Sequence, residues 1–320
     1  MSFFEKLPLA QYTTPPNNYI GSTLFLSYIV VALYLTLTIS YSLYTQFTSL
    51  FRSSPASPFS KSSQNGADQP SIRNARARHI KIYGALALLS FGSISYHMLG
   101  FLITSFLDWH GSTSPRNVLA VLSSSNAVSQ LKAWMLQTGL FNNFAAELVA
   151  DPQSAVWAQL AVLSSWGWNL WMGRKALQYN LPLHKTLPFT LLAANLPTSF
   201  SAALFIIQLH LSSPDILSSG TPVRQQQKQQ QQPAPPKPKP LTSPLLPTIL
   251  LNAMLLATPT LRNHASFSYL VLAERLLLFL PHTGLLKLSK RDIESSVAVS
   301  GGFVVANWAM LRKGLVGPRN

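Results

Sequence analysis

The chain contains no cysteine and few acidic residues. Its 320 residues include 24 Lys and Arg but only 9 Asp and Glu, and charged residues make up 10% of the total. The absence of cysteine excludes disulfides, thiolate catalysis, zinc sites with cysteine ligands and iron–sulfur clusters. Soluble domains carry about 25% charged residues. This chain therefore has too little charge to cover a globule of its size with a hydrated surface.

Several catalytic and targeting patterns are also missing. The sequence has no glycine-rich phosphate loop, HExxH, GxSxG or paired aspartate-rich motif. These absences argue against ATP-driven transport, zinc proteolysis and diphosphate-ionising prenyl chemistry. Asp108 and His110 have no second histidine at helical spacing, so we expect neither a metal site nor a cofactor. The first apolar run is too long for a cleavable signal peptide, and we expect it to remain as a signal anchor.

Apolar runs near 20 residues predict an all-α fold, a polytopic transmembrane bundle of about seven spans. The predicted spans are 19–44, 80–107, 152–173, 187–211, 245–261, 265–280 and 295–311. Pro197 is expected to kink the fourth span near Ala193. The segment 131–150 repeats apolar residues at three- and four-residue spacing, which predicts an amphipathic helix along the membrane interface or across the end of the bundle.

Three segments are expected to lie outside the helices: a flexible N-terminus at 1–18, a basic loop at 48–79 and a disordered Gln/Pro-rich tract at 212–244. The formal net charge is +15. Because the basic residues lie in loops between apolar runs, we expect them to set topology and meet lipid headgroups, with no nucleic-acid partner. Counting Lys and Arg on the two predicted faces favours a cytoplasmic C-terminus.

Glu274 is the acidic residue with the strongest claim to chemistry, because it falls inside a predicted span. A carboxylate at the centre of a membrane helix costs about 2.5–3.5 kcal/mol on insertion scales, so such residues face a cavity or a partner. Glu274 could donate a proton or stabilise a cation. It could also pair with Arg262, His97 or a backbone carbonyl in a purely structural role.

Three other carboxylates are candidates for acid chemistry. Glu147 and Asp151 are four residues apart, and repulsion between neighbouring carboxylates raises the pKa of one of them. Asp151 also directly precedes Pro152, which is typical of a helix N-cap, and Glu147 could simply lie on the wet face of its helix. Asp108 is either an acid at the mouth of a cavity or part of a solvated helix end.

Tryptophans and amides form a second group of candidates. On the third predicted span, Trp166 lies about opposite Trp157 and shares its side with Gln159 and, less closely, Asn169. Indole faces stabilise cations, so this stripe is a candidate cavity wall. Asn195, just before Pro197, could hold freed backbone groups or face a ligand. Trp168 and Trp171 are expected in the interfacial belt.

The sequences LFNNFAAELVADP, Trp-Ala-Gln at 157–159, WNLWMGRK and LPTSFSAALFIIQLHLSSP resemble a group of fungal polytopic membrane proteins. SFSYLVLAERLLLFLPH is similar to the last part of those proteins. The group includes membrane terpene cyclases of meroterpenoid pathways of the ascofuranone and macrophorin type. The resemblance covers residues 75–211 and 245–311, and the tract 212–244 departs from it.

The resemblance implies an endoplasmic-reticulum enzyme that protonates an olefin or epoxide of a prenylated aromatic substrate, after which the cation closes rings and loses a proton. This mechanism needs a neutral carboxylic acid in an apolar pocket. On local chemistry, Glu147, Asp151 and Glu274 are the leading donors, and Trp157, Trp166 and Tyr269 are candidate walls. Expected partners are membrane lipid, a hydrophobic small molecule and pathway enzymes in the same membrane. The alternative is a non-enzymatic membrane protein, either a transporter or a pathway scaffold.

Overall fold

The computed structural model describes residues 15–52, 69–111, 123, 125–179, 181–212, 242–264 and 266–316. Within these residues the chain forms ten α-helices and no β-strand, which confirms the all-α prediction. The helices are α1 (Tyr19–Arg52), α2 (Gln69–His110), α3 (Ala127–Gln137), α4 (Leu140–Glu147), α5 (Pro152–Gln178), α6 (Leu183–Asn195), α7 (Thr198–Leu211), α8 (Leu245–Ala257), α9 (Phe267–Leu277) and α10 (Lys290–Val316). A 3-10 turn, Leu280–His282, lies between α9 and α10. Residues 1–14 of the predicted flexible N-terminus, residues 53–68 of the basic loop and nearly all of the Gln/Pro-rich tract lie outside the described residues. The other parts of the predicted loop, 48–52 and 69–79, are helical and belong to α1 and α2, so the loop prediction is wrong there. Asn18, at the end of the predicted flexible segment, is buried.

The first two helices are the longest. Tyr19–Phe51 and Asn74–His110 are long and apolar enough to cross a membrane, judged by length and composition. At 1.5 Å per residue, α1 and α2 extend ~50 Å and ~60 Å, well beyond a bilayer core of ~30 Å. Both helices therefore extend beyond the predicted spans 19–44 and 80–107. They confirm that the chain has helices able to span a membrane, while the total of seven spans stays a prediction.

The predicted interfacial helix 131–150 is divided into α3 and α4 at Thr138 and Gly139. The Thr138 hydroxyl donates to the Trp134 carbonyl at 2.6 Å, which competes with continuation of the helix. The Asn18 side chain donates to the Thr138 carbonyl at 3.0 Å, and Trp134 packs edge-on against Phe106. The α3–α4 segment thus covers the ends of α1 and α2.

The predicted fourth span, 187–211, is wrong as a single kinked helix, because the chain reverses direction within it. Ser201 Oγ donates to the Phe189 carbonyl at 2.7 Å, and the rings of Phe189 and Phe205 lie 5.4 Å apart. Neither contact is possible along one continuous helix, in which 12 residues extend ~18 Å. Leu196 and Pro197 adopt extended backbone angles at the reversal. The helices α6 and α7 therefore form an antiparallel hairpin, and each is too short to cross a bilayer.

A second hairpin is formed by α8 and α9, which have 13 and 11 residues. These helices are shorter than the predicted spans 245–261 and 265–280. The last helix, α10, has 27 residues and begins before the predicted span 295–311. Between the two hairpins lies α5. Its Met172 packs with α1, α2, α6 and α7, and its Trp166 packs with α8 and the segment before α10.

Candidate functional site

Asp151 is the N-cap of α5, as predicted. Its Oδ1 accepts hydrogen bonds from the backbone N–H groups of Gln153 at 2.9 Å and Ser154 at 3.0 Å. Its Oδ2 accepts from the Ser154 hydroxyl at 2.6 Å. This hydroxyl bond is the main cause of a lowered pKa at Asp151, and the two backbone donors add to it. Because the side chain is exposed and held in its ionised form, Asp151 is poorly suited to donate a proton.

Three predicted site residues of α5 share the buried side of the helix. Gln159, Trp166 and Asn169 are 2%, 1% and 0% exposed, whereas Trp157 lies on the outside and is 65% exposed. The polar stripe predicted from helical spacing therefore lies on the buried side of α5, and Trp157 lies on the exposed side.

The stripe meets three other elements through side-chain contacts. Trp166 Nε1 donates to Thr248 Oγ1 of α8 at 2.9 Å. Asn307 Nδ2 of α10 donates to Gln159 Oε1 at 2.8 Å. His282 Nε2, in the 3-10 turn, lies 3.4 Å from Asn169 Oδ1. With the neighbouring Asn252, these side chains form what we call the polar seam: Gln159, Trp166, Asn169, Thr248, Asn252, His282 and Asn307.

The polar seam contains polar atoms that lack a hydrogen-bond partner. Asn252 Nδ2 donates to the Thr248 carbonyl at 2.8 Å and to Ser300 Oγ at 3.2 Å, but its Oδ1 accepts nothing. Gln159 Nε2 and Asn169 Nδ2 are also buried without a partner. An unsatisfied buried group of this kind costs about 1–3 kcal/mol. The seam therefore offers two donors and one acceptor to water or to the polar part of a ligand.

His282 is held neutral at the edge of the seam. Burial lowers its pKa from 6.5 to about 4, because a charged imidazolium loses hydration there. Among the described residues, no three His, Asp or Glu side chains are grouped to hold a metal ion. His282 therefore contributes a neutral ring that hydrogen-bonds to Asn169.

Glu274 of α9 is buried, at 4% exposure. Its Oε1 lies 2.5 Å from Thr258 Oγ1, and the same hydroxyl lies 2.8 Å from the Met254 carbonyl. An exposed ion pair joins Lys290 and Glu294 elsewhere in the chain. Arg275, the neighbour of Glu274, instead donates to the Ala194 carbonyl at 3.4 Å. Glu274 thus has a hydroxyl partner but no cation within salt-bridge distance.

An apolar pocket of about 290 Å³ lies between α8 and α9. Its lining is aliphatic and consists of Leu250, Met254, Ala273, Leu276, Leu277 and Leu280. Glu274 is not among the lining residues; on α9 it directly follows Ala273 and precedes Leu277 by three residues. Leu250 and Leu276 are exposed on the outer surface, so the pocket opens sideways from the bundle.

The other predicted acids lie apart from this pocket. Glu147 and Asp108 are exposed at the ends of their helices. Arg262 Nη1 donates to the Ala150 carbonyl at 3.2 Å, and α4 packs against α9. Glu147, Asp151 and Glu274 therefore belong to neighbouring segments, but Glu274 alone is buried, and no common cavity forms around the three.

The remaining candidates have structural surroundings. Asn195 Nδ2 donates to the Leu191 carbonyl at 2.7 Å. The Asn195 carbonyl, freed at the helix end, accepts from the Tyr28 hydroxyl. This matches the structural alternative for Asn195, in which the amide holds backbone groups at the proline. Tyr269 is half exposed and lies outside the pocket lining.

Several polar residues of the site were not predicted from the sequence. Thr248 and Asn252 stand four residues apart in the otherwise apolar LLPTILLNAMLLA, and this spacing places them on one helix face. That signal was available. Thr258, His282 and Asn307 had no such signal, since each becomes part of the site only through a contact between distant segments.

Comparison with known proteins gives no match: no family model, no curated protein and no solved structure matches this chain. The resemblance to membrane terpene cyclases therefore stays a prediction.

Proposed function

We propose that the protein is a multi-pass enzyme of the endoplasmic-reticulum membrane that starts the cyclisation of a hydrophobic, prenylated substrate by proton transfer from Glu274. The observation that carries the proposal is a buried carboxyl group with no cation within salt-bridge distance among the described residues, next to an apolar pocket. Proton-initiated cyclisation needs this combination, because the acid must hold its proton and water must be kept from the cation.

The hydrogen bonds of Thr258 support a protonated Glu274. The Thr258 hydroxyl has one hydrogen and two oxygen neighbours, Glu274 Oε1 at 2.5 Å and the Met254 carbonyl at 2.8 Å. If that hydrogen points to Met254, the close contact with Glu274 requires the carboxyl to donate. The neutral acid satisfies both contacts at once. It also avoids the cost of an unpaired charge in a buried position.

The pocket supports an apolar substrate that enters from the lipid phase. Its six lining side chains are all aliphatic, and its volume of about 290 Å³ is near the lower end of the range for small-molecule sites. No aromatic ring lines it, and Trp166 is engaged with Thr248 on another face. We therefore assign proton delivery and exclusion of water to this site, and leave Trp157, Trp166 and Tyr269 outside the proposed reaction centre.

The proposed reaction is an isomerisation. The Glu274 proton adds to an olefin carbon or an epoxide oxygen, and a neighbouring double bond attacks the resulting cation to form a ring bond. The cyclised cation then loses a proton, and Glu274 regains one. Product and substrate have the same mass.

The test is expression in a host that is fed a prenylated, epoxidised aromatic. Wild type is expected to give a product of unchanged mass and altered retention, resolved by mass spectrometry and NMR. Glu274→Gln keeps the size of the side chain and a hydrogen bond to Thr258 but has no acidic proton, so it should abolish the product at an unchanged protein level. Glu147→Gln is the matched control at an exposed carboxylate, and it should retain activity. Full activity of the Glu274→Gln variant would disprove the assignment.

A non-enzymatic transporter is the second candidate, and the polar seam favours it. The seam runs along α5 with two unpaired donors and one unpaired acceptor, and the α6–α7 hairpin ends inside the bundle. Non-helical backbone at membrane depth is typical of transport pathways. Solute flux into proteoliposomes that is reduced by Asn169→Leu, together with no product from the fed substrate, would support transport over cyclisation.

A further inference from the structure

One end of the helix bundle, which we call the basic end, is rich in cations. At this end α1, α5 and α7 end and α2 and α6 begin. The Gln46 side chain of α1 hydrogen-bonds to that of Gln208 on α7, and the ring of His79 on α2 lies 5.8 Å from that of His210 on α7. The basic residues described here are Arg76, Arg78, Lys81, Arg174, Lys175 and Lys185. No Asp or Glu lies on the parts of α1, α2, α5, α6 or α7 that form this end.

The two described carboxylates at the start of α10 have partners of their own. Asp292 Oδ2 accepts from the Ser289 hydroxyl, and Glu294 pairs with Lys290 at 3.6 Å. At the opposite end of the bundle, Asp108, Glu147 and Asp151 are all exposed. The two ends therefore differ in charge: the helices of the basic end carry cations without a carboxylate of their own, whereas Lys132 and Arg262 at the opposite end lie in segments that also carry acidic residues.

The basic end is continuous with an apolar outer face of α2. Arg78 and Lys81 are exposed. Two turns further along the same helix, Leu88 and Leu89 are 74% and 71% exposed, ~10 Å from Lys81 at 1.5 Å per residue. A cationic band directly beside an exposed aliphatic surface matches a phospholipid, whose phosphate lies at the edge of its acyl chains. A nucleic acid matches only the cationic part.

We propose that the basic end contacts the anionic phospholipid headgroups of the cytoplasmic leaflet, with the outer face of α2 against the acyl chains. Juxtamembrane Lys and Arg are attracted to the negative surface potential of that leaflet and set the orientation of membrane proteins. The start of α1 and the end of α10 then lie on the non-cytoplasmic side. This orientation is opposite to the cytoplasmic C-terminus expected from the sequence, which treated 187–211 as a full span.

The orientation can be tested with single-cysteine variants, because the chain has no cysteine of its own. His184→Cys places an exposed thiol at the basic end, and Asn263→Cys places one between α8 and α9 at the other end. A membrane-impermeant maleimide should label the His184→Cys protein in intact microsomes and the Asn263→Cys protein only after permeabilisation. The reverse pattern, or labelling of both variants in intact microsomes, would overturn the proposal.

The lipid contact can be tested with the purified full-length protein in detergent and fluorescent phosphatidylserine. The Arg78→Gln/Lys81→Gln variant should bind about 25-fold more weakly than wild type, since each surface cation contributes of order a factor of five. Lys132→Gln, at the other end, is the matched control and should bind like wild type. Equal binding of fluorescent phosphatidylcholine, or an unchanged affinity in the double variant, would contradict the proposal. Displacement by inorganic phosphate or by an RNA oligonucleotide at similar concentration would also contradict it.

Discussion

The helices α2 and α5 are both long, yet they place polar and apolar residues in opposite ways. On α5, the amides of Gln159 and Asn169 are buried and the outward Trp157 is exposed. On α2, leucines such as Leu88 and Leu89 point outward and are largely exposed. This distribution, with polar side chains buried and aliphatic side chains exposed, is the reverse of the one in a soluble protein.

The difference indicates what surrounds each helix. Exposed aliphatic surface along a helix of this length is stable in lipid, where helices satisfy their own backbone hydrogen bonds. Buried amides and hydroxyls then link helices to one another, as they do in α5, α8 and α10. This contrast predicts that charge is tolerated least on the outside of α2 and that hydrogen-bonding partners matter most around α5.

The largest effect is expected from charge on the outer face of α2. Leu88→Arg/Leu89→Arg should prevent stable membrane insertion, because each arginine near a helix centre costs about 2.5–3.5 kcal/mol on insertion scales. Carbonate extraction of microsomes measures this directly. The Leu88→Ala/Leu89→Ala control should remain in the membrane pellet. If the arginine variant also stays there, α2 does not face lipid.

A smaller effect is expected at His282, where the seam meets the 3-10 turn. Its pKa is about 4 in the folded protein and 6.5 otherwise, so between these values the unfolded chain binds more protons. Stability is therefore fully present above pH 6.5 and falls as the pH is lowered towards 4, by roughly 3 kcal/mol at most. Thermal unfolding in detergent from pH 7.5 to 4.5 should show a steeper loss for wild type than for His282→Asn. Parallel curves would contradict this account of His282.

The Trp166–Thr248 contact should contribute about 1 kcal/mol, the usual net value of a buried hydrogen bond. Trp166→Phe keeps most of the ring, and Thr248→Val keeps the shape of the side chain. A double-mutant cycle of these substitutions, followed by thermal unfolding, should give a coupling energy of about 0.5–1.5 kcal/mol. Strictly additive effects would show that the bond does not stabilise the seam.

The smallest effect is expected at the exposed start of α5. Asp151→Ala removes the acceptor for two backbone N–H groups, whereas Asp151→Asn keeps an oxygen in the same position. The alanine variant should unfold at a slightly lower temperature than wild type above pH 5. Because the pKa of Asp151 is lowered, the difference should shrink as the pH falls below about 4. An asparagine variant as unstable as the alanine variant would argue against the cap.

The parts of the structure that depend on local sequence could be predicted. Apolar length identified α1 and α2, the Asp151–Pro152 pair identified the start of α5, and helical spacing placed Gln159, Trp166 and Asn169 on one side. These features follow from residues close together in the chain. The sequence indicated that Glu274 needs a cavity or a partner. The structure shows that Glu274 is buried and that its partner is Thr258, which the sequence could not identify.

Features that depend on distant contacts could not be predicted. A proline after Asn195 is compatible with a kink or a reversal, and only the contact between Ser201 and Phe189 distinguishes them. The same holds for His282 and Asn307, whose partners on α5 are more than 100 residues away. Treating α6 and α7 as one span also changed which Lys and Arg residues were counted on each predicted membrane face. The expected sidedness counted 187–211 as one full span, and the structure has two short antiparallel helices there.

The protonation of Glu274 is the central claim, and infrared spectroscopy tests it most directly. A neutral carboxyl group has a carbonyl stretching band that a carboxylate and an amide lack. A difference spectrum at pH 7 between wild type and Glu274→Gln, in lipid, should contain this band in wild type alone, and the Glu147→Gln variant should retain the band. If the difference spectrum shows only carboxylate bands, Glu274 is ionised in the resting protein, and it cannot be the proton donor proposed here.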